Sequence, residues 1–423
     1  MPRLLDLRLP GARRLSATDG GASADARLIL AAQALRAFAY GFGAVLLGTT
    51  LDRRGLSSTE VGVVLAAVVA GTVLASLAVA RWGDRWGRRR WYVGLYVALA
   101  VVGATFAESS ALWLLVLVAL TGALSTEVVE SGPFTSLEQA MLATGLTGRT
   151  RLRGFGVYNA VATAAGSLGA LAAGAPGLAH HLWHHAPSDE RWFWLFVPVA
   201  LAGALVAARL SPAVEGPPTD RSRPAQPHQH LGESRPTVYR LAGLFAADSF
   251  GGGFVVQSFI AFWLTRHFGA TTGTVGIVFS AVGVLQTASF LAATRLGERF
   301  GLLATMVFSH LPSNMLLVVL GFAPNLTVAV VVLLARAALS SMDVPTRQAY
   351  VMALVAPHER TAAAAYTNTA RYVARPAGPV LAGATASMWI GAPFVIAGGI
   401  KGVYDLVLWA WFRRVPLPQE ITA

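Results

Sequence analysis

Apolar residues in this chain come in runs too long and too uniform for an amphipathic helix or a half-buried strand. Twelve runs approach the roughly 20 apolar residues an α-helix needs to cross about 30 Å of hydrocarbon. They cover 28–51, 61–80, 91–107, 112–143, 154–173, 192–210, 241–264, 274–294, 302–322, 326–355, 361–384 and 389–411. Charges, Gly/Pro clusters and Asn or Ser separate them. The pattern predicts an all-α membrane protein with twelve transmembrane helices. Residues 1–27 are polar, basic and rich in Gly, Ala and Ser, and the run after them is too long for a signal-peptide core. A cytoplasmic tail and an uncleaved first helix are therefore expected. Residues 211–240 carry Pro212, Pro217, Pro218, Pro224, Pro227 and Pro236 among Arg, Gln, His and Ser, the composition of an extended cytoplasmic linker. The expected order is a tail (1–27), a six-helix bundle (28–210), the linker (211–240), a second six-helix bundle (241–412) and a tail (413–423).

Composition narrows the class. Of 423 residues, 55% are hydrophobic and 13% charged, against roughly 25% charged in soluble domains, and there is no cysteine. Soluble globular, disordered and disulfide-scaffold proteins are excluded. The net charge of +12 raises the question of a nucleic-acid partner, and the placement of the basic residues answers it. Roughly 23 of the 33 basic residues fall in the tail, the even-numbered loops and the C-terminal end, while the odd-numbered loops hold only Arg53, Arg54, Arg191 and Arg266. Positive charge flanking spans stays on the cytoplasmic side. Both termini are thus expected in the cytoplasm of a multi-pass inner-membrane protein. Charge that follows a topology rule, not one contiguous face, argues against nucleic acid.

The chain also repeats itself. An offset of 214 aligns Arg81-Trp82-Gly83-Asp84-Arg85-Trp86-Gly87 with Arg295-Leu296-Gly297-Glu298-Arg299-Phe300-Gly301, Gly55 with Gly269, and Val61-Gly62 with Val275-Gly276. Further on, an offset of 209 aligns Gln139-Ala140 with Gln348-Ala349, Arg151 with Arg360, Asn159 with Asn368 and Gly169 with Gly378. Two six-helix halves related by an axis along the membrane normal follow.

The loop Asp84-Arg85-Trp86-Gly87-Arg88-Arg89 resembles the signature of the major facilitator superfamily, repeated more weakly between spans 8 and 9. Ala80 stands where that signature usually begins with glycine. Ser131-Gly132-Pro133-Phe134 with Glu138-Gln139-Ala140, and Met342-Asp343-Val344-Pro345-Thr346-Arg347-Gln348, are similar to a bacterial efflux-like branch. The span-5 antiporter motif is partly present: Gly166, Gly169 and Gly174 are there, with Ala170 where a proline would stand. The resemblance implies a monomeric secondary transporter moving a small solute by alternating access, with proton-coupled efflux by antiport as the leading reading. Symport or uniport of an organic anion, or a transport-inactive sensor on the same fold, are the alternatives.

An ionisable side chain at mid-bilayer costs at least about 2.5–3.5 kcal/mol on insertion scales, so each needs a partner, water or a task. The acids within the runs are Glu127, Glu130, Glu138, Asp248, Asp343 and Asp405; the bases are Arg36, Arg336, Arg347, Arg371, Arg375 and Lys401. Lys401 and Asp405, at i and i+4, are expected to neutralise each other. Arg371 and Arg375 share a face, either packed against acids of a neighbouring helix or in contact with solute. By resemblance, spans 1, 4, 7 and 10 line the cavity, and a rise of 1.5 Å per residue places Arg36, Glu127, Glu130, Asp248, Arg336 and Asp343 between the midplane and the cytoplasmic third. On a continuous helix Glu127 and Glu130, at i and i+3, share one side. Two adjacent carboxylates in a low dielectric resist double ionisation, so the pair can carry a coupling proton; a salt bridge to Arg36 or Arg371 is the alternative. Glu127, Glu130, Asp248 and Asp343 are the proton-coupling candidates. Arg36 and Arg336, with Gln33, Tyr40, Asn159 and Gln257, are the substrate-cavity candidates. Gly251, Gly252 and Gly253 suit an unwound segment beside the cavity.

Nearer the cytoplasmic surface, gating is expected from Asp84, Arg85, Gly87, Arg88, Glu138, Glu298, Arg299 and Arg347. Glu138 would meet Arg85 or Arg88, and Arg347 would meet Glu298 with the sign reversed. The outer loop His180-His181-Leu182-Trp183-His184-His185 has metal-ligand residues but no cavity acid with them, and reads first as an exposed loop, with metal sensing or metal efflux as the alternative. With no phosphate-binding loop, cysteine site or nucleophile elbow, no cofactor, ATP drive or enzymatic chemistry is expected.

Overall fold

The structure, a computed structural model, describes residues 17–125, 127, 132–144, 148–182, 189–215, 231–232, 234–356 and 359–415. Among these residues the regular structure is entirely helical. The first half comprises α1 (Ala17–Arg53), α2 (Ser58–Trp86), α3 (Arg88–Glu108), α4 (Leu112–Ala119), α5 (Pro133–Thr144), α6 (Gly148–Ala172), the short α7 (Ala175–Leu182) and α8 (Phe196–Ala208), which a 3-10 turn over Asp189–Leu195 leads into. The second half comprises α9 (Arg235–Phe254), α10 (Gln257–Phe268), α11 (Thr272–Phe300), α12 (Leu302–Leu320), α13 (Leu326–Ser340), α14 (Asp343–Leu354), α15 (Arg360–Ala374), α16 (Ala377–Met388) and α17 (Ala392–Phe412). Twelve crossings result, with α4/α5, α9/α10, α13/α14 and α15/α16 each forming one broken span. Of the segment expected as linker, Pro212–Glu215 forms a 3-10 turn and α9 already begins at Arg235, so the span is longer than its apolar run.

Nine segments among the described residues are long and apolar enough to cross a membrane by composition alone. The remaining crossings are α4/α5, α6 and α15/α16. The breaks have local causes. Span 7 stops just after the Gly251–Gly253 triplet, and span 11 stops at Pro376, which has no N–H to continue the ladder. In span 10, Pro345 lies in the first turn of α14, where its missing donor costs nothing.

The duplication is conformational as well as sequential. Gly55 and Gly269, aligned at 214, have φ of 71° and 66°; Gly87 and Gly301, aligned likewise, have 94° and 87°. Left-handed geometry at these turns selects glycine. Ser57 and Thr271, also 214 apart, cap the following helices by accepting from the backbone N–H of Glu60 and Thr274.

We call the side bearing the start of α1, the end of α17, Gly87 and Gly301 the terminal face, and the side bearing Gly55 and Gly269 the far face. Within the first half α1 packs on α6 and α3 on α8; within the second, α12 packs on α17 and α9 on α15. The halves join through α2 with α16, α6 with α11 and α1 with α10, at the ends of these helices nearest the far face. Within an apolar cluster shared by both halves, glycines let the backbones meet: a Cβ on Gly62 would strike the Pro379 carbonyl, one on Gly383 the Ser58 carbonyl, and one on Gly276 the Ala170 carbonyl. Arg53 donates to Thr272 Oγ1 at 3.0 Å and Arg266 pairs with Asp52 at 3.4 Å on the same face. The terminal-face segments α5 and α14 pack within their own halves.

Candidate functional site

Three polar groupings lie inside the spans. In the first half Arg36 of α1 reaches Glu138 of α5, with Nε to Oε1 at 3.0 Å and a terminal nitrogen to Oε2 at 2.7 Å. The Tyr92 hydroxyl donates to Oε1 at 2.8 Å and the Tyr158 hydroxyl to Oε2 at 2.6 Å. Arg36 and Glu138 are 2% and 0% exposed. The guanidinium lies 5.2 Å from the Tyr40 ring centre and 5.6 Å from that of Phe134. A bidentate pair with every carboxylate lone pair engaged is the geometry in which a buried ion pair offsets its desolvation. Glu138 therefore turns inward to Arg36, not out to Arg85 or Arg88, and Arg36 is held by a carboxylate where a solute contact was expected. Gln33 and Tyr40 donate to the backbone carbonyls of Tyr158 and Ala123, fixing α1 against α6 and the end of α4.

The second half holds a denser cluster. Asp248 of α9 accepts from Lys401 of α17, lies 3.7 Å from Arg347 of α14 and 3.8 Å from His310 Nε2 of α12. Arg347 also pairs with Asp343 at 2.7 Å. His310 Nδ1 lies 2.9 Å from Asp405 Oδ1, and Asn314 Nδ2 donates to Asp405 Oδ2 at 2.8 Å. Two expectations are corrected. Arg347 meets Asp343 and Asp248 and not Glu298, which is exposed. Lys401 and Asp405 do not neutralise each other; the first is taken by Asp248 and the second by His310 and Asn314. Both side chains leave one helical face, but acceptors and donors on α9 and α12 approach them more directly than they approach each other.

The third grouping joins the halves. Glu127 lies at a non-helical position after α4, its backbone N–H donating to Ser125 Oγ at 3.1 Å, and its carboxylate pairs with Arg375 at the break in span 11. Because the span is interrupted, the continuous-helix argument placing Glu127 and Glu130 on one face does not apply. Glu130 lies outside the described residues. Gly253 packs where its missing Cβ would meet the Arg375 carbonyl and Gly378, so the breaks of spans 7 and 11 cross at this depth. Arg336 has its Nε buried with no hydrogen-bond partner, and its charge and that of Arg371 act on Asp248. Gln257 opens α10, and Asn159 sits on an exposed face of α6.

The remaining gating candidates fall at the terminal face. Arg85 is exposed, Arg299 lies 5.2 Å from the ring of Phe300, and the side chain of Asp84 is outside what the structure describes. Gly87 abuts Glu215, whose carboxylate accepts from the backbone N–H groups of Arg88 and Arg89 at 2.5 and 3.2 Å, capping α3 where the helix dipole favours an anion. His184 and His185 lie outside the described residues. Sequence reasoning missed His310, Asn314, Tyr92, Tyr158 and Glu215. His310 and Asn314 had a signal, being polar groups in the apolar run 302–322; the tyrosines had none.

Two pseudo-symmetric helical bundles with buried charge at their centre and at their junction define a polytopic transporter that works by alternating access. Residues 29–262 and 241–422 each match the profile of the Major Facilitator Superfamily, and the chain belongs to that family. It is 24% identical over 428 residues to the uncharacterized membrane protein YJR124C of Saccharomyces cerevisiae, covering 93% of this chain and 95% of that one. The fold is similar to that of a bacterial homolog of the human lysosomal transporter Spinster in an inward-facing, occupied conformation (TM-score 0.71, 16% identity, 93% of this chain and 98% of that). It is also similar to that of the nucleoside transporter NupG in its D323A mutant (TM-score 0.70, 14% identity, 92% and 100%).

Proposed function

We propose that the chain is a proton-coupled transporter of a small organic anion, with Glu127 and Arg375 as the coupling pair. One observation carries this reading: a carboxylate of the first half holds an arginine of the second, at the crossing of two helix breaks. A proton on Glu127 cancels the charge that Arg375 is held by. A carboxylate or phosphate group on a solute then restores it. Proton and anion thus favour each other's binding, and reciprocity of that coupling makes co-transport in one direction the expected result. Arg336, with its buried Nε lacking a hydrogen-bond partner, supplies a further donor from span 10. With the termini in the cytoplasm, as the arginine distribution argues, the glycine seam closes the outer side and solute exchanges from within.

A second reading is efflux by antiport, favoured by the glycines in and just after α6: Gly169 packs on the Phe38 carbonyl and Gly174 on Gly273 of α11 across the halves. A cationic solute would compete with Arg375 for Glu127 and so with the proton. Proteoliposomes carrying a luminal pH dye, challenged with mono- and dicarboxylates, phosphate esters and organic cations, separate the two. Anion-evoked luminal acidification, lost in Glu127→Gln and in Glu127→Gln with Glu130→Gln, is the expected result. Cation-evoked alkalinisation would establish antiport, and an unchanged signal in both variants would refute the coupling role of Glu127.

A further inference from the structure

We infer that His310 is a proton-binding site in the second half, taking a proton at Nε2 toward Asp248 while its Nδ1–H stays on Asp405. The inference deepens the proton-coupled reading by adding a site that is independent of Glu127. The geometry is that of an imidazole between two carboxylates: Asp405 at 2.9 and 3.1 Å from Nδ1, Asp248 at 3.8 Å from Nε2, with the ring 4% exposed. Asn314 of the same helix donates to Asp405 and its Nδ2 also lies 3.1 Å from His310 Nδ1; the two carboxylate oxygens at Nδ1 favour the tautomer with its proton there, which leaves Nε2 ready to accept. The other charged or titratable groups facing this ring or its partners are Lys401 and Tyr404 of α17, Arg347 and Asp343 of α14, Arg336 of α13 and Arg371 of α15. Histidine alone among these residue types ordinarily changes charge between pH 5 and 8.

Protonation has a mechanical outlet. Asp248 is shared by α12, α14 and α17 through His310, Arg347 and Lys401. An imidazolium draws Asp248 toward α12 and weakens its hold on Lys401. The lysine reaches Asp248 only because Gly251 has no side chain; a Cβ there would stand 2.9 Å from Lys401 Cγ. Asp248, Gly251 and the break after Phe254 lie within two turns of α9, so the proton acts directly beneath the hinge of span 7. Among the described residues the first half has no such group. At the position aligned with His310 by the 214 offset stands Tyr96, whose hydroxyl is fixed on the Ala32 carbonyl at 2.6 Å. The Arg36–Glu138 pair beside it is closed by tyrosines. One half is therefore built to stay fixed and the other to respond.

The test combines a direct and a functional measurement on the full chain. Imidazole ¹⁵N spectra of the protein in lipid are recorded between about pH 5 and about pH 8, the interval in which histidines commonly titrate; the His310 signal is assigned by its loss in His310→Gln. The expected result is a charged-to-neutral transition of that signal. In parallel, solute exchange is measured over the same interval for wild type, His310→Gln, His310→Asn and Glu127→Gln. Wild-type exchange should vary several-fold, and either His310 variant should flatten the profile while still exchanging solute. A His310 signal that keeps one charge state throughout, or a His310 variant with the wild-type profile, overturns the inference. A wild-type profile in the His310 variants with coupling lost in Glu127→Gln would refute this site and leave the coupling reading intact. The reverse pattern would refute the role of Glu127 and uphold His310.

Discussion

Replacing Glu138 by Gln keeps the shape of the side chain and removes its charge. Arg36, 2% exposed, is then a buried cation facing a neutral amide, and only one of the two atoms that accepted from it and from Tyr92 and Tyr158 remains an acceptor. Removing one partner of a buried ion pair costs about 3–5 kcal/mol. Adding Arg36→Met removes the stranded charge and leaves the amide oxygen for a tyrosine, so about 2–3 kcal/mol should return. Unfolding in mixed micelles across the four members of this cycle measures the coupling directly. A Glu138→Gln variant within about 1 kcal/mol of wild type, or a double variant less stable than Glu138→Gln alone, would refute the assignment of this pair as the clamp of the first half.

Other perturbations probe different parts of the molecule. Gly253→Ala forces a methyl into the Arg375 carbonyl and Gly378 and should cost about 1–3 kcal/mol and most of the transport rate; Gly399→Ala, with open space around it, should be neutral or stabilising in the same melts. Glu215→Ala uncaps α3 at Arg88 and Arg89 and should lower stability by about 1 kcal/mol, read by thermal unfolding in detergent. Because the chain has no cysteine, Gly174→Cys with Gly273→Cys introduces the only thiols, one on each half of the far-face seam. Oxidation should cross-link them and arrest transport, with recovery on reduction; transport that continues in fully cross-linked protein would show that this seam does not open.

The elements of this fold were written in the sequence as run lengths and as a repeat. Gly55 with Gly269 and Gly87 with Gly301 aligned by sequence, and each pair adopts the same left-handed turn. Buried charges were legible as residues but not as partners. Spacing on one helix says which side chains share a face, as with Lys401 and Asp405, yet the partner is decided by whichever neighbouring helix brings an opposite charge to about 3 Å. Asp248 and His310 do so, and in a low-dielectric interior that proximity outweighs a neighbour one turn away. The shared face of Glu127 and Glu130 was not legible for another reason. A rise of 1.5 Å per residue assumes an unbroken helix, and Glu127 sits where the helix is interrupted.

The far-face seam lays glycine backbones against carbonyls, Gly62 and Gly383 each facing the other's helix and Gly276 facing Ala170. Around these glycines one apolar cluster runs across both halves, with Leu47 and Val61 of the first and Phe259, Phe262, Val275 and Phe279 of the second. Parting the seam therefore hydrates aliphatic and aromatic surface as well as amide. Apolar exposure raises heat capacity by about 0.45 cal/K/mol per Å², whereas polar exposure lowers it by about 0.26. The balance between the closed and parted seam then curves with temperature, and the closed seam loosens on cooling as the hydrophobic driving force fades.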